Sequence, residues 1–134
     1  MIDSYLDPGT LSLRTPANLD LFSYVPDQSQ PKDRKQYLSM VMSLMYLARL
    51  TRPDILLATT FLASRSASPT VDDWNRGARI VRYLAGTKNY GVAINCEGLK
   101  IYVYCDASYG SRVDGHSHSG YVLSLGDSLS YLSA

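Results

Sequence analysis

The chain has 134 residues, a length that fits one domain or a piece of a larger protein. Hydrophobic residues make up 46% of it, which is enough for a core and too many for a disordered tail. A single glutamate stands against eleven aspartates. This composition excludes helices laced with Glu–Lys pairs, and with them a coiled coil.

The formal net charge of +1 conceals an uneven distribution. Residues 1–33 carry −3, residues 34–90 carry +6 and residues 91–134 carry −2. The chain therefore has a basic middle third between two acidic flanks, which the overall charge does not show.

Targeting and redox signals are weak. The longest apolar-rich stretch, residues 37–50, spans fourteen residues, short of the about 20 that a membrane helix needs. The first residues have neither the positive region nor the apolar block of a signal peptide. Two cysteines, Cys96 and Cys105, do not make a disulfide framework, and no nearby histidine activates either. We expect an intracellular protein, cytoplasmic or nuclear, with reduced structural thiols and no membrane partner.

Residues 1–34 predict an extended arm. Prolines and small polar residues interrupt every short apolar group in this segment. Such an arm wraps a neighbouring domain or links two domains, and by itself it carries no chemistry.

Two helices are predicted next. Residues 36–50 are apolar on nearly all sides, which is typical of a central helix buried by its neighbours. A second helix is predicted from the Thr51 region to about Arg65. Its start has a capping residue in Thr51, a first-turn proline in Pro53, and an acidic residue at the positive end of the helix dipole in Asp54.

A third helix is predicted to begin at a capping box made by Thr70 and Asp73 and to end at Gly86. Its apolar stripe is predicted to consist of Trp74, Ala78, Val81 and Ala85. The adjacent pair Asp72–Asp73 imitates the paired aspartates of a polymerase. A polymerase pair needs a hairpin turn to aim both carboxylates at one metal, whereas this pair opens a helix, so we predict a capping role.

After Tyr90 the hydrophobic period changes from 3.6 to 2, which predicts strands. Residues 91–96 and 99–106 flank Glu97–Gly98 as a hairpin, and residues 120–125 and 129–133 flank a turn at 126–128. One face of the first pair would carry Ile101, Val103 and Cys105; the other would carry Tyr102, Tyr104 and Asp106. Helices followed by antiparallel strands predict an α+β fold whose sheet is incomplete.

Several of these segments resemble the Pol polyprotein of copia-type LTR retrotransposons. Residues 37–48 (Tyr-Leu-Ser-Met-Val-Met-Ser-Leu-Met-Tyr-Leu-Ala) and 51–55 (Thr-Arg-Pro-Asp-Ile) are similar to the family's helix after the polymerase palm, with Met42 in place of its common Gly. Residues 82–87 (Arg-Tyr-Leu-Ala-Gly-Thr) resemble its next helix. Residues 104–110 (Tyr-Cys-Asp-Ala-Ser-Tyr-Gly) and 117–125 resemble the first two strands of its ribonuclease H domain.

The resemblance implies a division of the chain into three parts. Residues 1–34 would be a linker or arm, residues 35–90 a helical thumb-like or connection-like region of reverse transcriptase, and residues 91–134 the amino-terminal part of a truncated ribonuclease H-like domain. The palm would precede residue 1. A ribonuclease H of this kind holds Mg²⁺ with four carboxylates, of which Asp106 would be the first and the others would follow residue 134. The parent polyprotein would be an enzyme and this chain alone would be inactive.

A set of basic residues suggests contact with nucleic acid. Basic side chains on helices hold the backbone phosphates of a duplex without reading its sequence. The resemblance makes an RNA/DNA hybrid or primer–template duplex the expected partner, together with the remainder of the Pol polyprotein. The other interpretation is a solvated helix surface that balances the acidic flanks. The residues are Arg49, Arg52, Arg76, Arg79, Arg82 and Lys88.

Other candidate groups favour structural roles. His116 and His118 with Asp114 fall short of the four ligands of a zinc site, so we predict exposed loop histidines. Tyr102 and Tyr104 are predicted to pack rather than to stack on bases.

Three functional hypotheses follow. The first is a retroelement reverse transcriptase/ribonuclease H segment with no complete active site, and the second is a domesticated, free-standing module that binds nucleic acid or protein. The third, a nuclease active by itself, is disfavoured because three carboxylates are missing. Because its covering elements are absent, the face with Ile101, Val103 and Cys105 should be exposed, and residues 91–134 should be poorly ordered or self-associating.

Overall fold

A computed structural model describes residues 13–19, 21, 33–93, 100–110, 115, 117–126 and 128–133. In these residues three α-helices precede three antiparallel strands, which confirms the predicted α+β class. The elements are α1 (Arg34–Leu50), a 3₁₀ turn (Pro53–Ile55), α2 (Leu56–Ser64), α3 (Val71–Gly86), β1 (Ile101–Ser108), β2 (His118–Leu125) and β3 (Ser128–Ser133).

Helix α1 begins after Asp33, whose carboxylate accepts a hydrogen bond from the backbone N–H of Lys35 at 2.9 Å. Its buried side chains recur three and four residues apart, so they form one face of the helix. They are Tyr37, Met40, Val41, Leu44 and Ala48. The opposite side exposes Met42, Tyr46 and Leu50, at 51%, 65% and 62% of their surface. The prediction of burial all round is therefore wrong, because the described residues cover α1 on one side only.

The start of the second helix also differs from the prediction. Thr51 ends α1 instead of capping the next helix: its backbone N–H and, at 3.5 Å, its hydroxyl donate to the carbonyl of Leu47. The α-helix begins only at Leu56, after the 3₁₀ turn. Pro53 lies in the first turn, as predicted, because its missing N–H and fixed φ suit that position. No side chain caps the 3₁₀ turn.

Helix α3 confirms the predicted capping box. The Thr70 hydroxyl accepts from the Asp73 backbone N–H at 3.3 Å, and the Asp73 carboxylate accepts from the Thr70 backbone N–H at 2.9 Å. Asp73 is fully buried and also accepts from the Arg65 guanidinium at 2.8 Å. The Asp72–Asp73 pair therefore opens a helix, and Asp72 forms a more exposed ion pair with Arg76.

The buried stripe of α3 lies one position away from the predicted one. Its buried residues are Asp73, Gly77, Ile80, Val81, Tyr83 and Leu84, whereas Trp74, Ala78 and Ala85 are only partly buried. The prediction followed apolar side chains, but the innermost positions hold a bonded carboxylate and a glycine. A Cβ at Gly77 would overlap the terminal methyl of Met40, so glycine lets α3 approach α1 closely.

One hydrophobic core joins the three helices. The Tyr37 hydroxyl crosses it and donates to the carbonyl of Leu62 at 2.8 Å. The arm contributes as well: Leu21 is 6% exposed within the core, and Ala17 packs against it. The described part of the arm therefore packs against the helices of this same chain.

The sheet has the order β1-β2-β3 and places Asp106 opposite Gly120. Between Leu123 and Ser124 the β2–β3 register shifts, and Gly126 turns the chain with φ of 58°. The strands begin one or two residues from their predicted positions. The predicted turn at Glu97–Gly98 falls within residues 94–99, which lie outside the described residues. Residues 91–93 are described and are not in a strand, so the prediction of a strand that begins at residue 91 is wrong.

Both faces of β1 are exposed along its whole length. Ile101 and Val103 expose 64% and 56% of their surface, as predicted for a face without cover. Tyr102 and Tyr104 expose 43% and 64%, so the prediction that they pack is wrong. The reason is the same on both faces: none of the described elements covers β1.

Replacement of Asp73 by Ala should destabilise the helices by about 3 kcal/mol, because it removes the buried carboxylate that accepts from Arg65 and from the backbone N–H of Thr70 at the start of α3. Urea unfolding followed by circular dichroism measures this loss. Asp72→Ala is the matched control, since its ion pair with Arg76 is more exposed and should contribute below about 1 kcal/mol. Equal losses for the two variants would contradict the structure.

A lysine at Val103 should reduce self-association of the chain, because it places a charge on the exposed apolar strand β1. Sedimentation velocity across a concentration series measures the effect. Asn75→Lys adds the same charge to an exposed position of α3 and should leave association unchanged. If the unaltered chain stays monomeric at all concentrations, the exposed face of β1 is not a self-association surface.

Candidate functional site

The carboxyl-terminal ends of α1 and α3 meet at a polar cluster made of Arg52, Asp54, Tyr83 and Thr87. The Arg52 guanidinium donates to both carboxylate oxygens of Asp54, at 3.0 and 2.8 Å. It also donates to the backbone carbonyl and the hydroxyl of Thr87, at 2.9 and 2.7 Å. The Tyr83 hydroxyl donates to Asp54 at 2.6 Å, so α3 reaches the same carboxylate. These bonds join the end of α1 to the end of α3, and we call the four residues the junction.

Arg52 is 7% exposed, which is unusual for a cation. Burial of a charge costs free energy unless hydrogen bonds and an opposite charge replace water. The bonds to Asp54 and Thr87 provide this replacement. The rings of Tyr83 and Tyr90 add cation–π contacts, with the guanidinium carbon 5.3 and 5.9 Å from their centroids.

The cluster displaces the pKa of three of its members. Partial burial opposes ionisation of Asp54, but the hydrogen bonds from Arg52 and Tyr83 together outweigh it and hold the pKa of that carboxyl below its ordinary value. The hydrogen bond to Asp54 raises the pKa of Arg52 above its ordinary value. The same carboxylate raises the pKa of Tyr83, with help from burial. The charged pair and the neutral phenol therefore stabilise one another.

A cleft of about 480 Å³ opens beside this cluster. It is lined by the turn at residues 51–54, by Tyr83 and by residues 89–92. Its volume lies within the range of about 300–1,000 Å³ typical of small-molecule pockets.

The six basic residues that the sequence singled out fall into three groups. Arg52 is buried, and its bonds to Asp54 and Thr87 leave it poorly placed to meet a phosphate. Arg76 and Arg79 are partly buried, and each has a bonded partner in Asp72 or in Thr15. The remaining three, Arg49, Arg82 and Lys88, are exposed.

Those three exposed cations lie towards the same end of the helices. Arg49 is in the last turn of α1, Arg82 precedes Tyr83 on α3, and Lys88 follows Thr87. Because Arg52 joins α1 to α3 at Thr87, all three side chains start near this junction. Arg49, in the last turn of α1, is also suited to stabilise the negative end of that helix dipole.

Asp106 lies on β1, exposed and across from Gly120. Within the described residues no three His, Cys, Asp or Glu side chains come close enough to hold a metal ion. A two-metal site requires several carboxylates, so the described part of the chain does not by itself fit two Mg²⁺ ions. Cys105 is an exposed free thiol. Cys96, Asp114 and His116, and the side chain of His118, lie outside the described residues.

The sequence did not predict two members of the junction, Tyr83 and Thr87, or the neighbouring ring of Tyr90. The sequence predicted phosphate contact for Arg52 and a helix-dipole role for Asp54, whereas the two residues form an ion pair with each other. The signal that could have indicated their contact is that both motifs, Arg-Pro-Asp at residues 52–54 and Tyr-Leu-Ala-Gly-Thr at residues 83–87, belong to the same family resemblance. Two polar motifs on consecutive helices are candidates for mutual contact.

Replacement of Asp54 by Asn should reduce stability at neutral pH and have little effect at low pH. Because the pKa of Asp54 is lower in the folded state, ionised Asp54 stabilises the fold above the unfolded pKa of about 4. This contribution is lost as the pH falls through the lowered folded pKa. After allowance for solvent screening of the half-exposed carboxylate, we expect about 1–2 kcal/mol at pH 7. Urea unfolding of both proteins between pH 7 and pH 2.5 measures it, and a difference that does not change with pH would contradict this account.

Comparison with known proteins identifies relatives of this chain. The retrovirus-related Pol polyprotein from transposon RE2 of Arabidopsis thaliana is 38% identical over 96 residues, which are 70% of this chain and 6% of that protein. The corresponding polyprotein from transposon RE1 of the same plant is 40% identical over 96 residues, again 70% of this chain and 6% of that protein. The secreted RxLR effector protein 161 of Plasmopara viticola is 36% identical over 91 residues, which are 66% of this chain and 64% of that protein.

No family model and no solved structure matches the chain. Among the described residues no helix has the length and apolar character needed to cross a membrane. The chain matches both transposon polyproteins over 70% of its own length but spans only 6% of theirs. It is therefore similar to a short part of the retrovirus-related Pol polyproteins of transposons.

Proposed function

We propose that the chain is a segment of a copia-type reverse transcriptase/ribonuclease H, which as an intact protein copies RNA into DNA and hydrolyses RNA in RNA/DNA hybrids. In this proposal residues 35–90 form the thumb-like or connection-like region and residues 91–134 begin the ribonuclease H-like domain. The observation that carries the proposal is the group of exposed cations Arg49, Arg82 and Lys88 at one end of the helices, in a chain that is similar to transposon polyproteins.

The junction supports a role in phosphate contact for these three residues. Arg52 and Thr87 fix the two helix ends relative to each other, so the cations extend from a rigid support. Phosphates of a duplex require positive charge without base-specific geometry, and exposed Arg and Lys supply it. A primer–template duplex or RNA/DNA hybrid is the partner that this surface fits.

The exposed residues of the strands support the proposal that residues 91–134 begin a ribonuclease H-like domain. Strand β1 presents Asp106 to solvent beside apolar side chains that have no cover. In the intact enzyme we propose that Asp106 supplies one carboxylate of a magnesium site and that other parts of the Pol polyprotein supply the rest and cover the sheet. This segment by itself would then be inactive.

The intact protein would act inside the cell, where its nucleic-acid substrates are. The alternative of a free-standing module receives less support, since the matched Pol polyproteins contain this segment within a much longer chain.

The double substitution Arg82→Ala with Lys88→Ala should weaken binding of an RNA/DNA hybrid by roughly tenfold at low salt. It should also make the slope of log K against log salt concentration shallower by about 2, because two phosphate contacts are lost. Fluorescence anisotropy with a labelled hybrid across a salt series measures both quantities.

Lys35→Ala serves as the control for this experiment. Lys35 is exposed in the first turn of α1, while Arg49 lies in the last turn of the same helix. Removal of Lys35 should leave affinity and slope nearly unchanged. Equal effects of the two changes, or an affinity for the hybrid that does not depend on salt concentration, would contradict the proposed phosphate-contact surface.

A further inference from the structure

The cleft beside the junction contains an exposed aromatic ring that the fold does not bury. Tyr90 exposes 65% of its surface, yet it is held in place from both its main chain and its ring. Its backbone N–H donates to the carbonyl of Thr87 at 3.0 Å, and its ring lies 5.9 Å from the Arg52 guanidinium carbon. An aromatic side chain that is held but exposed is suited to stack against a planar ligand.

Asp54, which also lines the cleft, is an anionic acceptor. Asp54 accepts three hydrogen bonds, two from Arg52 and one from Tyr83, and its side chain remains 37% exposed. The exposed part of this carboxylate can accept a hydrogen bond from a ligand N–H. Arg52 and Asp54 form a neutral pair in the cleft, so the cleft itself offers a phosphate no net positive charge.

The rim adds groups of complementary chemistry. The Asn89 side chain is exposed beside Tyr90 and can both donate and accept. Lys88 is exposed one residue earlier, at the mouth of the cleft. A ligand with a neutral ring and an attached phosphate would therefore place its ring inside and its phosphate outside.

The displaced pKa values of the junction support the same cleft as a binding site. Arg52, Asp54 and Tyr83, whose pKa values are displaced, all line this cleft. Perturbed groups that converge on a cleft are typical of binding sites, although ion pairs within a fold also produce them.

We propose that this cleft binds a single unstacked nucleobase of a bound nucleic acid, with the base against Tyr90 and a base N–H donated to Asp54. The choice of ligand class rests on the proposed function. The cleft would hold an unpaired terminal or overhanging nucleotide, while Arg82 and Lys88 contact phosphates of the adjoining strand.

Guanosine 5′-monophosphate is the probe that tests the cleft independently of any duplex. In two-dimensional NMR of the whole chain, its titration should produce saturable shifts at residues 51–54, 83 and 89–92. Ribose 5-phosphate, which has the same sugar and phosphate but no base, should bind at least about tenfold more weakly. Absence of saturable shifts, or equal binding of the two probes, would overturn the proposal.

Two tyrosine variants separate base stacking from general aromatic contact. Tyr90→Ala should weaken binding of guanosine 5′-monophosphate by at least about fivefold. Tyr46→Ala is a matched control, because Tyr46 exposes the same 65% of its surface on α1 and does not line the cleft. Equal effects of the two variants would overturn the proposal.

Failure of the cleft and failure of the proposed function give different results. Hybrid binding with normal salt dependence but without any response to guanosine 5′-monophosphate would reject the cleft alone. A saturable, Tyr90-dependent response in a chain that binds no hybrid would support the cleft and reject the duplex surface.

Discussion

The buried guanidinium of Arg52 is the constraint on which the rest of the helical region depends. A cation with 7% exposure must exchange water for protein acceptors, and Asp54 and Thr87 are the acceptors that it has. Because Thr87 follows α3 and Arg52 follows α1, this exchange fixes two helix ends at once. The cleft and the exposed cations both take their positions from this junction.

Packing divides the described part of the chain into a region with its own core and a region without one. The helices bury their apolar faces against one another, aided by Gly77, which permits the close approach of α1 and α3. The sheet has ladder hydrogen bonds, but β1 stays exposed on both faces. The described helices therefore have a core of their own, whereas the described part of the sheet leaves β1 uncovered.

Local signals in the sequence predicted the elements well, and non-local contacts account for the errors. The capping box of Thr70 and Asp73 uses atoms three residues apart, so its letters are sufficient to predict it. The partner of Arg52 lies 35 residues away at Thr87, and no spacing rule connects them. The apolar stripe of α3 was misplaced because Gly77 and Asp73 occupy inner positions for reasons of close approach and hydrogen bonding. The family resemblance was predicted from motif order alone and is confirmed by the polyprotein relatives.

A double-mutant cycle between Arg52 and Thr87 tests the junction most directly. Arg52→Leu and Thr87→Val would be made singly and together, and the free energy of unfolding of the four proteins measured in urea. The account predicts a coupling free energy of at least about 1 kcal/mol, because the hydrogen bond from the Arg52 guanidinium to the Thr87 hydroxyl exists only when both side chains are present. Additive losses, with coupling near zero, would show that Arg52 does not hold the helix ends together.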